Sequence, residues 1–343
     1  MRHFAPLLTA FVILLPLLAA CGGSDGQVVI YCALDEQHSS RLIRLFEEES
    51  GLTVKAIYDR ELTKTVGLVN QLVEEASNPR CDVFWNNEIV NTVKLKKKGI
   101  LAPYRSPAAA AIPPRWKDPE GYWTGFAARA RVFIVNTELV GRPEEYPTSL
   151  EDFLAPEWKG RCAMARPRTG TTLTHFASLY RQWGREKMVA FHQGLTANQV
   201  GFMQGNAHVM RQVRDGKFAW GLTDTDDFNV ALDRGFPVTR VYPDQQGMGT
   251  MVIPNTVCLI KDCPHPEAGK KLIDFILSPQ VEEALAAGKS AQIPVRPDVP
   301  RPDHVKSPSE DGRRGTFKAM PWDAEKVGVE LDELAGKLAE IFK

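Results

Sequence analysis

The stretch Val28-Val-Ile-Tyr-Cys-Ala-Leu-Asp-Glu-Gln-His38 passes from an apolar, β-rich run into the polar start of a helix. Leu42, Ile43 and Phe46 continue that helix at the spacing of one buried face, and Gly51 ends it. Residues 53–58 predict a second strand, residues 62–76 a second helix and residues 81–85 a third strand. This alternation of strands and helices predicts α/β layers with largely parallel sheets.

Two later segments bear on how many lobes the chain forms. Residues 124–136 predict a long apolar strand that crosses between lobes, and residues 249–260 would carry the chain back. The helices that follow residue 265 would then complete the first lobe. Without a targeting segment the chain has about 320 residues, which is long for one core and suits two domains. The alternation alone is equally compatible with one large doubly wound sheet.

The first residues have the pattern of an export signal. Arg2 precedes an apolar run over residues 7–18, which is too short for a transmembrane helix of about 20 residues. Residues 18–22 resemble the bacterial lipobox, so we expect a signal peptide over 1–20, lipidation at Cys21 and a flexible tether over 21–27. The alternative is an ordinary cleaved signal in which Cys21 carries no lipid.

Charge and cysteine content limit the kinds of partner and metal site that the chain can have. The chain has 42 basic and 42 acidic residues, and its one dense basic run, residues 94–98, falls at a predicted helix end. We therefore expect no nucleic-acid partner, and membrane attachment only through the lipid. Beyond Cys21, the sequence leaves the pairing of five cysteines open, and no CxxC or Cys/His zinc spacing occurs. These five are Cys32, Cys81, Cys162, Cys258 and Cys263.

Several segments, taken in order, resemble the ferric-iron-type periplasmic binding proteins of ABC importers. They cover residues 28–38, 49–54, 81–88, 125–137, 158–161, 205–206, 215–216 and 220–227. The resemblance implies a two-lobed type II fold, with a mostly parallel sheet flanked by helices in each lobe and hinge strands between them. It assigns residues 28–125 and 246–343 to the first lobe and residues 126–245 to the second, with a ligand cleft at their interface.

The sequence departs from this family where iron is usually held. Ferric binders of the family use a tyrosine pair, and the comparable positions here look like Asp226 and Asp227. Carboxylates suit other metals, ammonium groups and hydroxyls as well as iron. His38 matches a histidine that some ferric binders use, and Glu88 lies one position beyond an acidic ligand. A related branch with a Thr-Asp-Thr-Asp-Asp-like segment, here residues 223–227, binds phosphorylated sugars. Whether the ligand is a metal or an organic anion therefore stays open.

The candidate ligand-binding residues follow strand ends or share one face of the crossing strand. Side chains two apart on a strand point the same way, which groups Arg129 with Arg131. These arginines face solvent, an anion or a carboxylate of the opposing lobe, and Asp35 is equally well placed to cap a helix. The full set is Asp35, Glu36, His38, Arg60, Asn87, Glu88, Arg129, Arg131, Gly170, Thr171, Asn206, Asp224, Thr225, Asp226 and Asp227.

The resemblance implies a lipid-anchored solute-binding subunit of an ABC importer, on the periplasmic side or at the cell surface. Its solute would be ferric iron or another metal, or a phosphorylated or phosphonate organic anion. We expect a monomer without a cofactor that passes the solute to an inner-membrane permease. The alternatives are a ligand-sensing envelope protein and a metal-dependent envelope hydrolase. Against the hydrolase, the sequence has no HExxH motif and no clear nucleophile with a paired base.

Overall fold

The computed structural model describes residue 1 and residues 26–59, 65–309 and 316–343. The predicted lipidation site Cys21 and the candidate residue Arg60 lie outside these described residues. Within the described ranges, no helix is both long enough and apolar enough to cross a membrane.

Helices and strands alternate along most of the chain, as the sequence predicts. The elements in chain order are β1 Gln27–Cys32, α1 Glu36–Ser50, β2 Thr53–Tyr58, α2 Val66–Glu74, β3 Val83–Asn86, α3 Val90–Lys97, β4 Leu101–Ala102, β5 Thr124–Asn136, β6 Cys162–Ala165, α4 Gly170–Ala197, β7 Gly201–Met203, α5 Asn206–Arg214, β8 Trp220–Asp224, α6 Thr225–Asp233, β9 Val238–Val241, β10 Val252–Ile260, α7 Pro266–Ile276, α8 Pro279–Ala287, α9 Ala324–Val329 and α10 Leu331–Ile341.

The sheet has two mostly parallel parts joined by antiparallel strands. Its order is β2-β1-β3-β10-β5-β8-β6-β7, with β4 beside β10 and β9 beside β5. β1 runs parallel to β2 and β3, and β6 runs parallel to β7 and β8. β10 and β5 run antiparallel to each other and to their outer neighbours β3 and β8. This arrangement gives the two-lobed α/β fold and excludes a single doubly wound sheet.

β5 belongs to both parts of the sheet, which explains why all thirteen of its residues are buried. Its first half pairs with β10, where Ala130 lies opposite Val252. Its second half pairs with β8, where Arg131 lies opposite Asp224. The predicted crossing strand therefore has the expected bounds, and its register brings an arginine directly beside an aspartate.

Several element ends differ from the sequence-based expectation. α1 begins at Glu36 rather than at residue 39, because the polar residues after Asp35 already have helical geometry. Residues 81 and 82 precede β3, since the pairing of β3 with β1 begins at Val83. All five described cysteines are buried free thiols. The C-terminal helix α10 packs on α4 as well as on α3, so it contacts elements on both sides of the cleft.

A buried carboxylate holds an irregular point in β5. Ala127 has a φ of 39°, which is unusual for a residue with a side chain. The register between β5 and β10 also shifts between Pro254 and Asn255. Glu282 of α8 accepts the backbone N–H of Ala127 at 2.7 Å, and those of Val295 and Arg296 at 3.1 and 3.0 Å. Glu282 thus ties the hinge strand to the chain that follows α8.

We expect Glu282→Ala to lower the free energy of unfolding by about 3–5 kcal/mol, because it leaves three buried N–H groups without an acceptor. Urea unfolding followed by circular dichroism would measure the change. The neighbouring exposed residue provides the control, and Glu283→Ala should change stability by less than about 0.5 kcal/mol. Equal effects of the two substitutions would contradict this role of Glu282.

His175 of α4 is a buried histidine beside the hinge strand. It is 2% exposed, and its Nδ1 has no hydrogen-bond partner among the described residues. Burial, with a smaller contribution from the positive charge of Arg131, lowers the pKa of His175 to about 3. The folded protein therefore keeps this ring neutral at pH values where an unfolded chain would protonate it.

This depressed pKa predicts that acid destabilises the protein through His175. Below pH 6.5 the unfolded state binds a proton at His175, whereas the folded state binds it only near pH 3. This proton alone should lower the unfolding free energy by about 1.4 kcal/mol per pH unit between pH 6 and 4. In His175→Gln that contribution to the slope should disappear, whereas His304→Gln, at an exposed site, should keep it. Parallel pH profiles for all three proteins would show that His175 does not titrate in this way.

Candidate functional site

An inner cavity of about 40 Å³ lies where the two parts of the sheet meet. Its walls come from the loops after β1 and β3 on one side and from the starts of α4, α5 and α6 on the other. The lining residues are Asp35, Asn87, Arg129, Ala165, Arg166, Thr169, Gly170, Thr171, Thr172, Gln204, Gly205, Asn206, Ala207, Asp224, Asp226 and Asp227.

The deepest ion pair in this region joins Arg131 to Asp224. Arg131 Nη1 lies 2.6 Å from Asp224 Oδ1, and both side chains are almost completely buried. Thr171 Oγ1 and Asn206 Nδ2 donate to the other carboxylate oxygen at 2.6 and 3.1 Å. Burial alone would raise the pKa of Asp224, but Arg131, Arg129 and these hydrogen bonds outweigh it and lower the pKa. Asp224 is therefore a charged residue whose oxygens already have partners.

The second ion pair, between Arg129 and Asp226, is looser and borders the cavity. Arg129 Nη1 lies 3.3 Å from Asp226 Oδ2, and Arg129 Nη2 donates to the carbonyl oxygen of Asn87. Burial lowers the pKa of Arg129, but the neighbouring aspartates more than compensate and raise it. Its Nε is buried without a partner among the described residues. This guanidinium keeps donor capacity beside the cavity.

Three helices begin at the cavity wall, at Gly170, Asn206 and Thr225. The first N–H groups of a helix have no partner within the helix, and the helix dipole adds positive potential there. Gly170 has a φ of 57°, a conformation that glycine adopts without strain. Asn206 links two of these helix starts, since it accepts from Thr172 Oγ1 at 2.9 Å and donates to Thr171 Oγ1 at 2.7 Å.

The aspartates could also hold a cation. One oxygen from each of Asp224, Asp226 and Asp227 lies within 4.8 Å of the others. Hydrogen bonds to Arg131, Thr171 and Asn206 occupy both oxygens of Asp224. Asp227 Oδ2 accepts from Thr223 Oγ1 at 3.0 Å. A metal ion would compete with these donors.

A wider outer pocket of about 240 Å³ adjoins the cavity through Asp35, Ala207, Asp226 and Asp227. His38 lies here rather than in the inner cavity, and its Nε2 is 3.3 Å from Gln37 Nε2. The other walls carry three arginines, Arg211, Arg214 and Arg234. The cleft is thus acidic at the neck between the two spaces and basic in the outer pocket.

The remaining predicted site residues lie outside both spaces. Glu36 is exposed on the first turn of α1. Glu88 is fully buried, accepts the N–H groups of Val90 and Asn91 at 2.7 and 3.1 Å, and accepts Thr174 Oγ1 at 3.0 Å. Burial raises the pKa of Glu88. Thr225 Oγ1 accepts the N–H of Ala130 at 3.2 Å. Glu88 thus caps α3 and contacts α4, and Thr225 contacts β5.

Seven lining residues of the cavity are not in the candidate set given above, although the sequence marks two of them, Arg166 and Thr172, as part of a Gly/Thr loop suited to hold an oxyanion. They are Ala165, Arg166, Thr169, Thr172, Gln204, Gly205 and Ala207. Most of them directly precede or begin a helix. Polar residues at predicted helix starts were therefore the sequence signal that could have identified them. Only the pairing of β6, β7 and β8 brings these starts together.

Comparisons with known proteins agree with this architecture. The family model of bacterial extracellular solute-binding proteins matches residues 88–325. The chain is 27% identical to iron uptake protein A1 of Synechocystis, over 96% of this chain and 94% of that protein. It is 29% identical to an Fe(3+)-binding periplasmic protein of Serratia marcescens, over 81% of each chain. It is 25% identical to a putative 2-aminoethylphosphonate-binding periplasmic protein of Salmonella typhi, over 77% of each chain.

Solved structures show the same fold. Iron-bound HitA from Pseudomonas aeruginosa superposes with a TM-score of 0.81 at 21% identity, over 92% of this chain and 99% of that one. AfuA from Actinobacillus pleuropneumoniae with fructose-6-phosphate bound superposes with a TM-score of 0.79 at 22% identity, over 93% and 99% of the chains. Since the family model covers more than half of the chain, this protein belongs to the bacterial extracellular solute-binding proteins.

Proposed function

We propose that this protein is the solute-binding subunit of an ABC importer and that its cleft holds a small organic phosphate or phosphonate. The observation that carries the proposal is the convergence of three helix N-termini and Arg129 on one small cavity. Helix N-termini bind phosphate through backbone N–H groups and the helix dipole, and arginine adds charge-assisted hydrogen bonds. The proteins of this family and fold are solute-binding proteins, not enzymes.

Size supports an anionic head group in the inner cavity. A volume of 40 Å³ admits about three water molecules, which is close to the space that the oxygens of a phosphate group need. The organic part would extend into the outer pocket. There it would pass Asp226 and Asp227, whose carboxylates accept hydrogen bonds from hydroxyl or ammonium groups. Such groups occur in 2-aminoethylphosphonate, for which one relative is named, and in fructose-6-phosphate, which is bound in the structure of AfuA.

A second candidate is a metal ion, and the spacing of the three aspartates favours it. Two of the relatives are named for iron. No tyrosine is among the residues that line either space. The hydroxyl of Tyr31 donates to Glu75 at 2.8 Å, and burial raises the pKa of Tyr58 to about 12. Ferric iron here would have carboxylate ligands and no phenolate.

The remaining parts of the proposal concern location and motion. The family places the protein in the cell envelope, and the lipobox-like residues 18–22 support a lipid anchor at Cys21. Lobe boundaries near residues 126 and 246 stay a prediction, with β5 and β10 as the hinge. Closure around the solute would present both lobes to a permease.

We expect 2-aminoethylphosphonate or fructose 6-phosphate to raise the melting temperature, because a ligand of the native state stabilises it. Arg129→Gln should weaken that binding about 30-fold or more, as loss of one partner of a buried charge pair does. Isothermal titration calorimetry would measure the affinities. Arg185→Gln is the control, since that arginine is 56% exposed and pairs with Glu340 away from the cavity.

The aspartates separate the two ligand classes. Asp226→Asn with Asp227→Asn should weaken binding of 2-aminoethylphosphonate, which loses an ammonium partner, while inorganic phosphate binds as well or better. A metal site predicts instead that iron binding is lost in the double aspartate variant and is unchanged in Arg129→Gln. Iron-loaded protein with an intense visible absorption band would also contradict the site, because that colour needs a phenolate.

A lipid anchor at Cys21 predicts that the protein is found in the membrane fraction of the cell. Cys21→Ser should move the protein from the membrane fraction to the soluble envelope fraction, because the tether contributes nothing to the core. Fractionation with an antibody would measure the distribution, and unchanged circular dichroism would show that the fold is intact. A soluble wild-type protein would show that the chain has an ordinary cleaved signal.

A further inference from the structure

The outer pocket of the cleft lies along two helices, α5 and α6, that pack against each other. Its lining residues on α5 are Ala207, Met210, Arg211 and Arg214. The last three lie three, four and seven residues after the first, so all of them share one face of the helix. The pocket therefore follows α5 from the inner cavity, where the helix begins, towards the C-terminal end of the helix.

The second helix lines the pocket in the same way. Asp226 and Val230 of α6, and Arg234 directly after it, are spaced by four residues and share one face. The chain rises by about 12 Å between Asp226 and Arg234, and by about 10 Å between Ala207 and Arg214. The pocket thus has carboxylates at the end beside the inner cavity and arginines one to two helical turns further out.

The three arginines of the pocket keep donor groups that no described residue uses. Arg211 and Arg234 are exposed, and their guanidinium groups form no ion pair or hydrogen bond with another described residue. The side chain of Arg214 is only 17% exposed, lies over the ring of Phe236 at 4.7 Å and donates from Nε to Asp215 at 3.0 Å. Its two terminal nitrogens have no partner among the described residues. An anion could therefore contact all three guanidinium groups.

The negative charge at this outer end of the pocket is smaller than the positive charge. Asp215 contributes one charge, and the C-terminal ends of α5 and α6 contribute roughly half a charge each. Asp233, the last residue of α6, already pairs with Lys289 at 3.4 Å. The aspartates that border the inner cavity lie at the opposite end, where Asp226 pairs with Arg129 at 3.3 Å. The outer end therefore has a net positive charge that favours an anionic group.

The space between the two ends has room for a short carbon chain. The outer pocket, at about 240 Å³, is about six times as large as the inner cavity of about 40 Å³. A solute with its phosphate in the inner cavity would pass the carboxylates of Asp226 and Asp227 before it reaches the arginines. Carboxylates accept hydrogen bonds from hydroxyl groups, so a hydroxylated chain suits this passage.

We propose that the solute carries a second anionic group, which Arg211, Arg214 and Arg234 bind at the outer end of the pocket. The ligand class is then a polyhydroxy chain with a phosphate at one end and a carboxylate or second phosphate at the other. This inference rests on the proposed function, because it places the first phosphate in the inner cavity. It adds the charge at the far end of the solute, which the inner cavity alone does not determine.

Two sugar derivatives that differ only at the far end test the proposal. 6-Phosphogluconate has a carboxylate at its first carbon, where glucitol 6-phosphate has an uncharged hydroxymethyl group, and the two chains are otherwise alike. In isothermal titration calorimetry of the wild-type protein, 6-phosphogluconate should bind about tenfold more tightly, which is the effect of one hydrogen bond between charged groups.

A double variant identifies the residues that cause this preference. Arg211→Gln with Arg234→Gln should bring the ratio of the two affinities close to one, because it removes two of the three cations from the outer end. Both side chains are exposed and form no ion pair or hydrogen bond with another described residue, so the fold should tolerate the change. Arg142→Gln with Arg185→Gln is the matched control. It removes two exposed charges that line neither space, and it should keep the wild-type ratio.

Two results would overturn the proposal. Equal affinities of the two compounds in the wild-type protein would show that the outer end binds no anion. A preference that the double variant retains would show that the carboxylate is bound elsewhere. In both cases the proposed function stands if glucitol 6-phosphate or 2-aminoethylphosphonate binds, whereas a protein that binds no phosphate or phosphonate compound contradicts both proposals.

Discussion

The buried pair Arg131–Asp224 is the constraint around which the cleft is organised. It joins β5, the strand common to both parts of the sheet, to the end of β8, where α6 begins. A buried charge needs a partner and further hydrogen bonds, and here Thr171 and Asn206 supply them from the starts of α4 and α5. One ion pair thus fixes three helix starts relative to the hinge strand.

The cleft carries charges of both signs, and this composition limits what it can bind. Both oxygens of Asp224 already accept hydrogen bonds from protein donors. The contact between Arg129 Nη1 and Asp226 Oδ2 is longer, at 3.3 Å. A solute with a single charge would compete with one member of this looser pair for the other. A solute that carries both an anionic group and a donor group would replace both halves of the contact at once.

Sequence predicted the parts of the fold that local chemistry determines. The bounds of β5 and the shared face of Arg129 and Arg131 follow from residue type and strand alternation. The partners of those arginines depended on the pairing of β5 with β8, which no local pattern encodes. Glu88 was a candidate ligand because it follows a strand, and the sequence could not reveal that it caps α3 and accepts a hydrogen bond from Thr174 of α4. α10 likewise packs across both sides, which its own amphipathic pattern could not reveal.

The irregular backbone at Ala127 lies two residues before Arg129, and a carboxylate far along the chain keeps it in place. The apparent affinity of a protein that opens and closes is its intrinsic affinity scaled by the population of the competent conformer. Ala127 lines neither the inner cavity nor the outer pocket. If the lobes close around a solute, a substitution at Ala127 or Glu282 would change the measured affinity through that population, at a position that the solute does not touch.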